Sequence, residues 1–159
     1  MENQSAPPGP PGTTSYSSTE SDEDSRAHVW RETPLQVACF NGCSSAVSAL
    51  LPYETDLDGT YSLCASSPLH IAALRGHVTI IKQLVQHHGA SVCWTDFDGN
   101  TPFHMAAKAG QWEAVQMLAD MGADVNAKNA VQWTAMHYAA SANNAEMIQL
   151  LISLGARTQ

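Results

Sequence analysis

Residues 98–127 read DGNTPFHMAAKAGQWEAVQMLADMGADVNA, and the order of residue types in this stretch specifies two short helices with a tight turn between them. Thr101 suits a helix N-cap, because its hydroxyl can accept from an otherwise unpaired backbone N–H one turn on. Pro102 falls at the first helical position, where its missing N–H costs nothing and its φ is already helical. Phe103, Ala106 and Ala107 follow at helical spacing, and Gly110 permits the backbone reversal that ends the helix. A second helix is predicted from about Gln111 to Met121, with Ala114, Val115, Met117 and Leu118 as its apolar stripe. Gly122 ends that helix, and Asp124-Val125-Asn126 begins an extended turn.

The same pattern occurs three more times. Thr33-Pro34-Leu35, Ser67-Pro68-Leu69, Thr101-Pro102-Phe103 and Thr134-Ala135-Met136 open four units whose starts lie 34, 34 and 33 residues apart. The next position holds His70, His104 and His137, with Gln36 in the first unit. Gly42, Gly76 and Gly110 separate the helices, with Asn143 in the last unit. Leu50-Leu51, Leu84-Val85, Leu118-Ala119 and Leu150-Leu151 mark the second helices. These in-phase TPLH-like boxes resemble the ankyrin repeat, whose period is about 33 residues. The resemblance runs from about Val29 to Ala156. It implies an all-α repeat solenoid, with stacked helix-turn-helix units and short β-hairpin loops projecting from them as fingers. Units are expected near 33–66, 67–100, 101–133 and 134–159, inside a domain spanning 29–159.

Composition fits that class. The chain has 159 residues and a net charge of −8, which argues against a phosphate-binding surface and so against nucleic acid as a partner. It contains no run of 18 apolar residues, so no membrane span is expected. The first thirty residues lack the apolar core of a secretory signal. Cys39, Cys43, Cys64 and Cys93 show no paired-motif spacing and fall on repeat positions, as expected of reduced thiols in a cytoplasmic or nuclear protein.

Residues 1–28 form a separate segment, Pro-rich and then acidic and Ser/Thr-rich. Ala6 to Gly12 favours polyproline II, and residues 15–25 have too little apolar surface to offset their ordering entropy, so disorder is expected. Residues 1–30 hold five acids and one base. Ser17, Thr19 and Ser21 each have an acid three residues on, which resembles the sites of acid-directed kinases.

The units depart from one another in instructive ways. Pro52 stops the second helix of the first unit, and a longer or distorted loop is expected from there to Ser66. Ser44, Ser45 and Ser48 supply the polar face that a terminal repeat needs. In the second unit Gly89-Ala90 comes one residue late, so His87-His88 includes an insertion at the helix end. Adjacent histidines on a helix diverge and make a poor chelate, so no metal is expected there. Asp98-Gly99 signals a tight turn with a left-handed glycine, whereas the matching position of the next loop holds Gln132. The last helix, with Met147, Ile148, Leu150, Leu151 and Ile152, carries more apolar surface than a cap requires. A longer parent chain, self-association or a partner would each cover it.

No catalytic constellation is present: the chain lacks a nucleophile elbow, a phosphate-binding glycine loop, HExxH and Cys-x-x-Cys. No enzyme activity, cofactor or metal is therefore expected. One histidine per repeat is a structural part, and the resemblance implies that it bonds to the N-cap residue and neighbouring backbone.

What remains is recognition of another protein. The resemblance implies that partners meet a concave side made of finger tips and the exposed face of each first helix. The residues there are Trp30, Phe97, Asp98 and Trp133 from the loops, and Phe40, Leu74, Arg75, Met105, Lys108 and Tyr138 from the helices. A solvated face should be charged or small and polar; this one is rich in interface anchors. Asn126 stands in a second context. Its ordinary use in the Asp-Val-Asn turn is to bridge adjacent repeats. Leu118 eight residues before it, Asp124 two before it and Ala127 after it also resemble the setting preferred by the asparaginyl hydroxylase of ankyrin repeats.

Overall fold

The computed structural model describes residues 32–53, 57 and 66–158. The expectations for the 1–28 segment, for Trp30, for Cys64 and for most of the first inter-repeat loop fall outside these residues. Eight α-helices follow in four pairs. These are α1 (Pro34–Asn41) with α2 (Ser44–Leu50), and α3 (Pro68–Arg75) with α4 (Val78–Lys82). They continue with α5 (Pro102–Lys108) and α6 (Trp112–Asp120), then α7 (Ala135–Ser141) and α8 (Ala145–Ser153). Pro52 sits within a short 3-10 turn, Leu51–Tyr53, that closes α2.

The helix starts follow from local chemistry. The Thr33, Ser67 and Thr101 side chains accept from the backbone N–H of Gln36, His70 and His104, and those three residues reach back to the cap backbone N–H. Proline occupies the first turn in each of these three units. Between paired helices the chain turns through left-handed residues, with φ of 75° at Gly42, 74° at Gly76, 75° at Gly110 and 54° at Asn143. At the first two, an added Cβ would also press on a neighbouring side chain, the His77 ring at Gly42 and the Gln111 amide at Gly76, which would have to move aside.

The first helices α1, α3, α5 and α7 pack side by side, and the second helices α2, α4, α6 and α8 form a parallel row behind them. Small residues permit the close approach in the first row: Ala72, Ala73, Ala106, Ala107 and Ala139 are all buried. Leu35, Leu69 and Phe103 from the first helices meet Val47, Ile80, Ile81, Leu84, Val115, Leu118, Met147 and Leu151 from the second, so each repeat completes its neighbour's core.

The extra residue of the second unit is absorbed in a π-helical turn, Gln83–His87. Leu84 and Ala90 are one residue further apart than Leu118 and Ala123. Yet the Ala90 N–H reaches the Leu84 carbonyl at 2.9 Å, the distance also found from Ala123 to Leu118 and from Ala156 to Leu151. The bulge keeps both ends of the insertion in core register.

The expected β-hairpin fingers are closed by turns instead; among the described residues no strand forms. In the finger before α5, Asp96 N–H donates to the Asn100 carbonyl at 3.0 Å, and Asp96 Oδ1 accepts from Asp98 N–H and Asn100 N–H. In the finger before α7, Asn129 N–H donates to the Trp133 carbonyl at 2.9 Å, and Asn129 Oδ1 accepts from Val131 N–H and Trp133 N–H. Gln132 adopts φ 68° where Gly99 has 77°, so the second finger repeats the first despite its residue change. Ala130 N–H donates to the Asp98 carbonyl at 2.9 Å and joins the two fingers.

Candidate partner-binding face

The histidines of the boxes are spent on structure. His70 Nδ1 meets Ser67 Oγ at 2.8 Å, and His70 Nε2 donates to the Asn100 carbonyl at 2.7 Å. His104 does the same with Thr101 Oγ1 at 2.9 Å and with the Ala127 and Trp133 carbonyls. Gln36 plays this part in the first unit, its Nε2 donating to the Ser66 carbonyl. Each side chain thus ties one helix N-terminus to the finger of the following unit. Burial holds the His70 and His104 imidazoles below their ordinary pKa, so both are neutral, which suits an Nδ1 acceptor and an Nε2–H donor. His137 keeps the contact to Thr134, but its ring is exposed and is stacked by Trp133 at 5.9 Å.

With these residues engaged, the finger tips and the outward side of the first helices still present large side chains to solvent. Phe97 is 71% exposed at a finger tip, and Asp98 beside it is also exposed. Phe40 on α1 is 44% exposed, and the Arg75 guanidinium from α3 lies over its ring, 4.5 Å from the centroid. Leu74 and Met105 are half-buried on α3 and α5. Lys108 Nζ lies 5.8 Å from the Tyr138 ring centroid, and Trp133 packs edge-on against that ring at 5.2 Å. Two clusters result, Phe40 with Arg75 and Lys108 with Tyr138 and Trp133, and each spans adjacent repeats. Both cations rest on aromatic faces and, among the described residues, neither pairs with a carboxylate.

Tyr138 has a structural half that sequence reasoning missed. Its hydroxyl donates to Asn100 Oδ1 at 2.9 Å and accepts from Asn129 Nδ2 at 3.0 Å, and Asn129 Nδ2 also donates to Asn100 Oδ1. Asn100 and Asn129 are buried, so this triangle satisfies polar groups that would otherwise be costly. Val131, expected on this face beside Trp133, is 68% exposed, whereas Trp112 at 60% exposure was missed as a surface apolar residue.

The remaining candidates behave differently. Asn126 is a bridge: Nδ2 donates to the Gly155 carbonyl at 3.2 Å and Oδ1 accepts from Arg157 N–H at 2.7 Å. Chemistry at its β-carbon would require this clasp to open. Ser17, Thr19 and Ser21 lie outside the described residues. Cys39 is buried, which pushes its thiol pKa up to about 12, and Cys43 and Cys93 are exposed and unpaired. Among the described residues no group of three His, Cys, Asp or Glu side chains is placed to hold a metal, and no helix is long and apolar enough to cross a membrane.

A family model described as ankyrin repeats, in three copies, matches residues 16–96, 60–129 and 93–159. The chain is 34% identical over 106 residues to the transient receptor potential cation channel subfamily A member 1 of Homo sapiens, covering 65% of this chain and 9% of that protein. It is 37% identical over 78 residues to protein phosphatase 1 regulatory subunit 12A of Mus musculus, covering 49% and 8%. It is 35% identical over 97 residues to the B-cell lymphoma 3 protein homolog of Mus musculus, covering 61% and 21%. The matches therefore span a small part of each of these longer relatives.

Proposed function

The chain belongs to the ankyrin-repeat family, and from that premise we propose that it is a protein-interaction module, an adaptor or inhibitor that holds a partner protein on the concave side of its array. What supports this is the exposure of Phe40, Phe97 and Trp133 on the first helices and finger turns, with Arg75 over the Phe40 ring and Lys108 over the Tyr138 ring. Aromatic residues and arginine dominate interface energetics because they bury much area at low entropic cost. Two cations that have no carboxylate partner among the described residues also suit a segment that brings acidic groups. A similar protein being named a phosphatase regulatory subunit is in keeping with such a role. The acidic 1–28 segment would then supply regulation through its Ser17, Thr19 and Ser21 sites.

The test is a paired affinity measurement. Full-length chain captures interactors by cross-linking, and the dissociation constant of each purified interactor is then measured for wild type, for the Phe97→Ala Trp133→Ala double variant and for Tyr53→Ala. Tyr53 is 86% exposed in the turn after α2 and serves as the control surface. The double variant should bind at least about tenfold more weakly, equivalent to roughly 1.4 kcal/mol, with Tyr53→Ala unchanged. Equal affinity for all three would contradict the concave-side assignment.

A further inference from the structure

Where the last finger meets the final turn, the chain gathers two cations into one hollow. A cavity of about 340 Å³ is lined by Asn126, Lys128, Thr134 and Arg157, and among the described residues no acid shares its wall. The other bases of the described residues are placed differently: Arg75 and Lys108 lie over aromatic rings, and Lys82 is exposed on α4. Lys128 and Arg157 are both exposed, so a ligand can reach them. Asp124 is the nearest acid along the chain, and its Oδ1 is turned to the Asn126 N–H at 2.9 Å.

The backbone that carries these side chains is held in place. Ala127, just before Lys128, gives its carbonyl to His104 Nε2 at 2.9 Å. Asn129, just after it, is buried and closes the finger through the Trp133 carbonyl. Arg157 N–H donates to Asn126 Oδ1 at 2.7 Å, and Asn126 Nδ2 donates to the Gly155 carbonyl at 3.2 Å. A side-chain amide nitrogen carries two N–H groups, so one of them remains for a ligand. The Thr134 hydroxyl is engaged with His137 Nδ1 at 3.0 Å. The hollow therefore offers two cations and one amide N–H, all of them donors. This charge is no requirement of the repeat. Aligned on the helix caps and the Gly-Ala turns, the preceding junction has Cys93, Thr95, Thr101 and Asp124 at these four positions, with an acid and no base.

Such a set of donors selects an oxyanion. Two like charges lining one hollow repel each other until an anion lies between them. A phosphomonoester carries about −1.5 to −2 charges at neutral pH and three strong acceptor oxygens, which matches two cations and three donor groups. A carboxylate brings one charge and two oxygens. Guanidinium also pairs with phosphate through two parallel N–H bonds. The net charge of −8 disfavours an extended polyanion, but fields are screened beyond about 8 Å at physiological salt, so it does not bar a single group held between two bases. We propose that this hollow binds a phosphorylated serine or threonine side chain of a partner protein, with Lys128, Arg157 and the Asn126 amide as donors. None of its lining residues belongs to the aromatic clusters, so the site does not rest on the concave-side assignment.

The experiment is a titration of the ¹⁵N-labelled full chain with Nα-acetyl-O-phosphoserine amide, alongside the aspartate analogue and inorganic phosphate. The phosphoserine compound should give saturable shifts confined to the Asn126 side-chain amide and the backbone amides of Lys128 and Arg157. It should bind at least about tenfold more tightly than the aspartate analogue. Lys128→Gln and Arg157→Gln, both at exposed positions, should each weaken it by at least about tenfold. The Arg157 backbone N–H keeps its bond to Asn126 in the second variant, so the rest of the spectrum should stay in place. Shifts that do not saturate, that spread over the chain, that are equal for phosphoserine and aspartate, or that survive both substitutions would overturn the site. Inorganic phosphate binding as tightly as the phosphoserine compound would overturn its assignment to a protein side chain.

Discussion

Gln132 and Gly99 occupy the same left-handed place in successive fingers, yet exchanging their residue types should have opposite consequences. Gln132 has φ 68° and is exposed, and the hydrogen bonds that close its finger use its backbone and the Asn129 side chain, not its own. A left-handed L-residue costs roughly 1–2 kcal/mol, and glycine's greater freedom in the unfolded chain returns roughly 0.5–1 kcal/mol of that. Gln132→Gly should therefore stabilise the array by about 0.5–1 kcal/mol. At Gly99, φ is 77°, but a Cβ would lie 2.7 Å from the backbone nitrogen of Ala130, whose N–H bonds to the Asp98 carbonyl. Backbone cannot swing aside as a side-chain tip can. Adding overpacking and a weakened hydrogen bond to the dihedral cost, Gly99→Ala should destabilise by about 2–4 kcal/mol. Urea denaturation of both variants with unchanged m-values measures the difference. A destabilised Gln132→Gly, or a Gly99→Ala midpoint equal to wild type, would refute the reasoning.

Three further outcomes are expected. Leu118→Ala, at a fully buried position between neighbouring repeats, should cost about 2–5 kcal/mol in the same denaturation assay, and an unchanged midpoint would mean the site does not hold a cavity. His70 and His104 are held neutral in the folded chain below the ordinary value of 6.5, so the unfolded chain takes up protons that the folded one refuses. Stability is then fully present above pH 6.5 and is lost as pH falls below it, by up to about 2.7 kcal/mol per pH unit for the two groups together. The His70→Gln His104→Gln variant, copying Gln36, should flatten that slope without unfolding; an identical slope would acquit both histidines. Asn126→Ala removes two side-chain hydrogen bonds to the last turn and should cost about 1–3 kcal/mol, with faster amide exchange at Arg157. Unchanged exchange there would show that the clasp contributes nothing.

Most of the architecture could be read from the chain because it is set locally. A hydroxyl cap, a proline in the first turn and a glycine at the reversal each act over a few residues, so four in-phase variants of one box, with Gln36, Phe103 and Ala135-Met136 as its departures, mark four helix pairs. The function of the box histidine could be anticipated for the same reason, since its partner Ser67 or Thr101 is three residues away. What escaped depends on reach across repeats. Tyr138 looked like an exposed anchor, but its hydroxyl meets Asn100, thirty-eight positions earlier, only because α7 stacks beside the preceding finger. Gln132 gave no sign that it would accept a left-handed φ; the turn demanded by Asn129 and Trp133 imposes it. The position of the insertion near His87 was legible, but not its form, because a π turn and a loop keep the chain length equally well.

The central claim is that a partner protein lies across the finger tips and first helices. Hydroxyl-radical footprinting of the purified complex tests it most directly, since Phe40, Phe97, Trp133 and Tyr53 are all oxidisable and exposed in the free chain. Binding should protect Phe40, Phe97 and Trp133 from oxidation and leave Tyr53 at its free rate. Protection of Tyr53 with Phe97 and Trp133 oxidised as in the free chain would place the partner elsewhere and contradict the account.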